Sequence, residues 1–120
     1  MTASPWVSTW VEVCAVDAIP LEGGVAALVH GDPVAVFRTH DEEVFAIGNV
    51  DPFSGASVLS RGIVGSRGDR PTVASPVYKQ VFDLKTGQCL DDPAVRLPVH
   101  LVRVRDGLVE VALEAEALSA

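Results

Sequence analysis

Apolar and polar residues alternate in short bursts along most of the chain, and almost nowhere do apolar residues recur at the spacing of a helix. "WVEVCAV" (10–16), "GVAALVH" (24–30), "PVAVFRT" (33–39) and "EVFAIGN" (43–49) each read as a strand. The turn Gly31-Asp32 and the acidic turn His40 to Glu42 separate the last three, so the run predicts a β-meander. Near the C-terminus "LPVHLVRVR" and "LVEVALE" flank Asp106-Gly107, a dipeptide that tolerates positive φ and predicts a tight type I′ hairpin. Alternation there sends Val102, Val104, Leu108 or Val109, and Val111 to the core, with Arg103, Arg105 and Glu110 towards water. "ASPVYKQVFDLKTGQCL" predicts two more short strands about Lys85-Thr86-Gly87-Gln88. The tail "VALEAEALSA" is expected to fray or to form a short helical turn.

Between residues 50 and 75 the alternation breaks, with Pro52, Gly55, Gly62, Gly65, Gly68 and Pro71 punctuating "DPFSGASVLSRGIVGSRGDRPT". This reads as a long irregular insertion, a feature more often functional or interface-forming than merely connective.

A length of 120 residues fits a single domain, spanning 1–120 with a core from about 8 to 113. At that size folding buries roughly two-thirds of the unfolded surface. The fold class is all-β, a small antiparallel sandwich or barrel of short strands. A net charge of −7 argues against binding nucleic acid through its phosphates. The charge is uneven: Arg61, Arg67, Arg70, Lys79 and Lys85 outnumber Asp69 and Asp83, so the middle of the chain is locally positive. These cations read either as solvated loop charges or as a docking patch for an acidic partner. No apolar run approaches the roughly 20 residues of a membrane-spanning helix. The first basic residue is Arg38, so neither the basic start of a secretory signal nor an Arg-rich transit peptide is visible, and the cytoplasm is the expected location.

Chemistry-bearing residues are sparse. Cys14 and Cys89 each lie in an apolar segment, outside any C-x-x-C or Cys/His cluster, and read as buried small hydrophobes. His30 and His100 fall in strand-like runs and His40 in a polar turn, none paired at ligand spacing. Asp91-Asp92-Pro93 reads as a turn, since Asp side chains bond nearby amides. "GSRGDR" lacks the Lys-Ser/Thr of a phosphate loop. No catalytic, cofactor-binding or metal-binding set is complete within this chain.

Two stretches then carry a resemblance: "AIGNVDPFSGASVLSRGIVG" (46–65) and "VASPVYKQVFDLKTGQCLDDP" (73–93), with the opening "WVEVCAVDAIPLEGGVAALVHGDPVAVFR". From about Trp10 to Val111 the chain resembles the small subunit of assimilatory NAD(P)H-dependent nitrite reductase, the NirD family. That family is similar in fold to Rieske iron–sulfur domains, whose two loops hold a [2Fe–2S] cluster with two Cys and two His. At those places stand Asn49, Asp51, Ser75 and Tyr78, whose oxygen and amide groups are poor ligands for such a cluster. The resemblance therefore implies a Rieske-like fold without the cluster. It further implies a non-catalytic accessory subunit of an enzyme reducing nitrite to ammonium, whose large subunit carries flavin, [4Fe–4S] and sirohaem. Partner docking is expected at a basic patch of Arg61, Arg67, Arg70 and Lys79. Asp51-Pro52 and Ser75-Pro76 are expected to brace the loops through side-chain bonds to turn amides, with Phe53 and Tyr78 filling the space between them. A cluster-carrying Rieske ferredoxin and a stand-alone β-domain that binds or regulates are the alternative readings.

Overall fold

A computed structural model describes residues 8–113. Nine strands run β1 (Val11–Ala15), β2 (Gly23–Val29), β3 (Asp32–Arg38), β4 (Val44–Gly48), β5 (Ile63–Arg67), β6 (Arg70–Ala74), β7 (Val81–Asp83), β8 (Val99–Arg105) and β9 (Leu108–Ala112). They form a six-stranded antiparallel sheet, in the order β1-β9-β8-β4-β3-β2, and a three-stranded sheet β5-β6-β7. The larger sheet curls until its edge strands β1 and β2 face each other across a groove of about 320 Å3, so the barrel stays open on that side.

β3 shows why the two sheets pack as they do. Its apolar run Val34-Ala35-Val36-Phe37 is fully buried on both faces, because successive side chains point to opposite sides of a strand. Val34 and Val36 join Val29, Ala46, Val109 and Val111 in a core inside the curl. Ala35 and Phe37 turn the other way, onto Ile47 and the small sheet's Val64, Val73 and Phe82. Each buried Val, Ile or Phe among them contributes about 1.5–3 kcal/mol by leaving water.

The C-terminal hairpin follows the alternation: Val102 pairs Val111, Val104 pairs Val109, and Asp106 and Gly107 take φ of 52° and 78°. Two side chains depart from it. Val104, near the hairpin tip, is 46% exposed, and Arg103 lies over the Trp10 ring, 4.0 Å from its centroid, while its Nε donates to Glu110 at 2.6 Å. The β2–β3 turn falls one residue early, at His30 and Gly31 (φ 50° and 84°), so His30 is an exposed turn residue and not a strand residue. Beyond β7 the second expected strand reduces to bridges pairing Phe82 with Cys89 and Gln88 with Arg96.

Residues 50–75 are the main correction. The supposed irregular insertion contains the β5–β6 hairpin, in register from Ile63↔Ala74 to Arg67↔Arg70, with Gly68 at φ 62° in its turn. Gly65 and Pro71 look like breakers, but Pro71 sits beside the turn, opposite Ser66, where a missing N–H matters little. Asp92 behaves as read, accepting from the Ala94 amide at 3.1 Å, whereas Asp91 accepts from the Val81 amide, ten residues back, at 2.8 Å. The tail's expected fraying or helical turn lies outside the described residues, apart from its first few positions in β9 and Leu113.

His100, opposite Ala46 across β8 and β4, is 5% exposed, and its Nδ1 has no partner among the described residues. Burial pushes its pKa below the ordinary imidazole value, and the nearby Asp32 carboxylate only partly opposes this. The folded state thus favours the neutral ring, and stability is complete above the unfolded pKa near 6.5 and falls as pH drops below it. Urea midpoints should decline between pH 7.5 and 5.5 with a contribution of up to about 1.4 kcal/mol per pH unit. His100→Asn should flatten that decline; an equally steep profile in the variant would refute the assignment.

Candidate functional site: the paired loops

The first loop, residues 49–62, closes on itself through Asn49, which is 3% exposed. Its Nδ2 donates to Ser57 Oγ at 2.9 Å, and its Oδ1 accepts from the Ser60 amide at 2.7 Å. The Asp51 amide bonds the Ala56 carbonyl, and Gly55, at φ 77°, returns an amide to the Asp51 carbonyl at 2.7 Å. A 3-10 turn, Leu59–Arg61, then lays Leu59 into the core against the small sheet. Gly62 lets the chain pass close to β6: a Cβ there would come within 2.4 Å of the Ala74 carbonyl oxygen.

The second loop, residues 75–80, mirrors the first. The Asp51 carboxylate captures the Phe53 amide at 2.9 Å, and Ser75 Oγ captures the Val77 amide at 3.2 Å. In both cases a proline separates the side chain from the amide it holds, so the expected Asp-Pro and Ser-Pro corners are present. The two corners also bond each other: Ser75 Oγ donates to Asp51 Oδ2 at 2.5 Å, with Asp51 0% and Ser75 1% exposed. Burial alone would raise the Asp51 pKa, but the Ser75 hydroxyl, then the Phe53 amide and Ser54, hold it below the usual carboxylate range. The carboxylate is therefore ionised at neutral pH, and the stability it adds is present above about pH 4 and lost as pH falls through its lowered folded-state pKa.

Phe53 packs onto the core beside Phe82, with ring centroids 6.4 Å apart, as a filler between loop and sheet should. Tyr78 does not. It is 60% exposed, because Pro76 and the positive φ of Lys79 (66°) turn the tip of the loop outward. The Asp51–Ser75 bond, and not the Tyr78 ring, joins the two loops.

These residues do not fit the [2Fe–2S] group that the fold class implies. Such a cluster needs thiolate and imidazole donors at the loop tips. Here the oxygens and amide of Asn49, Asp51 and Ser75 are committed to each other and to loop groups, and Tyr78 points away. Cys89 is buried in the core, and Cys14 lies on β1, its thiol pKa raised by burial.

The four cations expected to form one patch fall at two places. Arg61 and Lys79 flank the paired loops, whereas Arg67 and Arg70 sit at the hairpin turn, four residues along the strands, or about 13 Å away. Arg67 reaches Asp91 (3.7 Å) and Arg70 reaches Asp83 (3.8 Å); the ion pairs among the described residues use neither Arg61 nor Lys79.

The match to the model of the Rieske-like [2Fe-2S] domain family covers residues 9–112. The nitrite reductase (NADH) small subunit of Escherichia coli K12 is 42% identical over 106 residues, 88% of this chain and 98% of that one. The chain belongs to the nitrite reductase small-subunit family. A solved Mycobacterium tuberculosis protein described as an NADH-dependent nitrite reductase small subunit is 52% identical, with a TM-score of 0.84 over 87% of this chain and 94% of that one. The nitrite reductase [NAD(P)H] large subunit of Klebsiella oxytoca is 39% identical over 102 residues, which are 85% of this chain and only 11% of that larger one. The large-subunit chain of that organism thus includes a segment of small-subunit type. The resemblance noted at residues 46–65 and 73–93 holds, and so does the Rieske-like all-β fold.

Sequence reasoning placed Asp51 and Ser75 at corresponding corners but missed their bond to each other. The signal was available: two short acceptor residues, each before proline, at positions that the fold brings together.

Ser75→Ala removes a donor from a buried carboxylate and should cost about 1–3 kcal/mol. Tyr78→Phe should change stability by less than about 0.5 kcal/mol, as an exposed substitution. Urea unfolding at pH 7 checks both; equal effects from the two substitutions would contradict this ranking.

Proposed function

We propose that this chain is the non-catalytic small subunit of a cytoplasmic NAD(P)H-dependent nitrite reductase, serving the assimilatory reduction of nitrite to ammonium. The large subunit carries the flavin, the [4Fe–4S] cluster and the sirohaem, and the electrons pass through those groups. This chain supports that partner as a preformed module.

One observation carries the reading: the loop frame is present and hydrogen-bonded within itself, yet its ligand positions hold oxygen and amide groups in place of thiols and imidazoles, those of Asn49, Asp51 and Ser75 bonded within the loops. A frame of that kind can bind and position a partner; it cannot pass an electron through a cluster it has no donors to hold. The Klebsiella oxytoca relative supports the partnership, since a segment of this type is joined there to the rest of a large subunit. Two free cysteines accord with a reducing compartment, and among the described residues no helix is long and apolar enough to cross a membrane.

Purification of this chain from its native cells should bring down a large subunit with NAD(P)H-dependent nitrite reduction. The small subunit alone should be colourless and inactive. About two iron and two acid-labile sulfides per chain would instead establish the Rieske ferredoxin reading, and failure to recover a large subunit would leave the stand-alone module.

A further inference from the structure

Among the described residues seven large apolar side chains are exposed: Leu21, Leu28, Val50 and Val104 lie on separate segments, and the other three lie together. Ile63 is 76% exposed, Tyr78 60% and Val77 43%. Ile63, Ala74 and Val81 form one row across the small sheet, and the second loop projects beyond that row. Arg61, just before Ile63, and Lys79, between Tyr78 and the sheet, bring two of the cations that make no ion pair among the described residues to the same end. The Asp51–Ser75 bond sets the first loop, with the exposed Pro52, alongside. An isolated exposed apolar residue needs no explanation, but three of them converging with unpaired cations mark an interaction surface.

The path of the chain points to the same end. The Ser8 amide bonds the Leu113 carbonyl at 2.9 Å, and the Leu113 amide bonds Ser8 Oγ at 2.8 Å, so the two ends of the described segment meet. Through the pairings Leu101↔Ala112 and Ile47↔Val99, this junction lies at the end of the large sheet where β4 runs into Asn49 and the first loop.

We propose that the loop end is the face by which this chain docks on the nitrite reductase large subunit, with Ile63, Val77 and Tyr78 as apolar anchors and Arg61 and Lys79 as flanking cations. This deepens the accessory-subunit reading and rests on it. The partner surface it fits is apolar at its centre and acidic where it faces Arg61 and Lys79. The hairpin turn with Arg70 then lies outside the contact, its charge met by Asp83, while the Arg67 side chain reaches back to Asp91 beside Val81.

The test measures binding of the full chain to the purified large subunit. Tyr78→Asp and Ile63→Asp should each weaken it by about tenfold or more, as centrally placed anchors do. Arg61→Glu with Lys79→Glu should slow association most at low salt. Val104→Asp, at the opposite end, and Arg70→Glu should bind within about twofold of the parent, as substitutions outside a contact do. Backbone hydrogen exchange on the unaltered chain gives a reading independent of any variant: protection on complex formation at 61–63 and 75–80 is expected. Protection confined to 103–109, or full binding by both Asp variants, would overturn the docking face while leaving the accessory role standing. An unaltered chain that does not bind at all would overturn the accessory role together with this proposal.

Discussion

The structure turns on a hydrogen bond between two side chains that share no local sequence: Ser75 Oγ donating to the buried carboxylate of Asp51. An ionised carboxylate without water is costly, and the cost is offset only where donors converge on it. Here the donors are the Ser75 hydroxyl and the Phe53 amide, each bonded to one oxygen. Bonds to a charged group contribute about 1.5–3 kcal/mol each, more than a neutral pair, and they have a fixed direction. The two loops are thereby held in register by a polar contact where a related domain would use metal. Once that tie exists, Phe53 can settle on Phe82 and Tyr78 is released to the surface.

Much of this fold was legible from period alone. The meander of β2 to β4 follows from short apolar runs, and the hairpin at Asp106-Gly107 from alternation, each ended by residues that accept positive φ. The β5–β6 hairpin was hidden because its strands carry Gly65 and Pro71 and bury little: Val64, Thr72 and Val73 are covered, while Ile63, Gly65, Ser66 and Arg67 face outward. A strand that lies over a core at only alternate short positions gives a weak pattern. Its pairing is decided by tertiary contact, which single-chain periodicity does not report.

The site was legible in its corners and opaque in its geometry. Asp51-Pro52 and Ser75-Pro76 announce turns that capture their own amides, since the chemistry is local. That the two corners meet depends on the packing of the small sheet on β3 and β4 through Phe37, Ile47 and Phe82, which is non-local. The same limit applies to the cations. Four residues close in sequence looked like one patch, but an antiparallel hairpin carries its turn away from its ends, and so splits Arg67 and Arg70 from Arg61 and Lys79. The loop end that results is hydrogen-bonded within and exposes Ile63, Val77 and Tyr78 beside Arg61 and Lys79.

A double-mutant cycle of Asp51→Ala and Ser75→Ala, read by urea unfolding at pH 7, tests the tie most directly. The account predicts that the double variant is less destabilised than the sum of the singles, by about 1 kcal/mol or more, as expected for contacting groups in one hydrogen-bond network. Effects that add within about 0.3–0.5 kcal/mol would show the two corners to be independent, and would contradict the claim that this bond has taken over the loops.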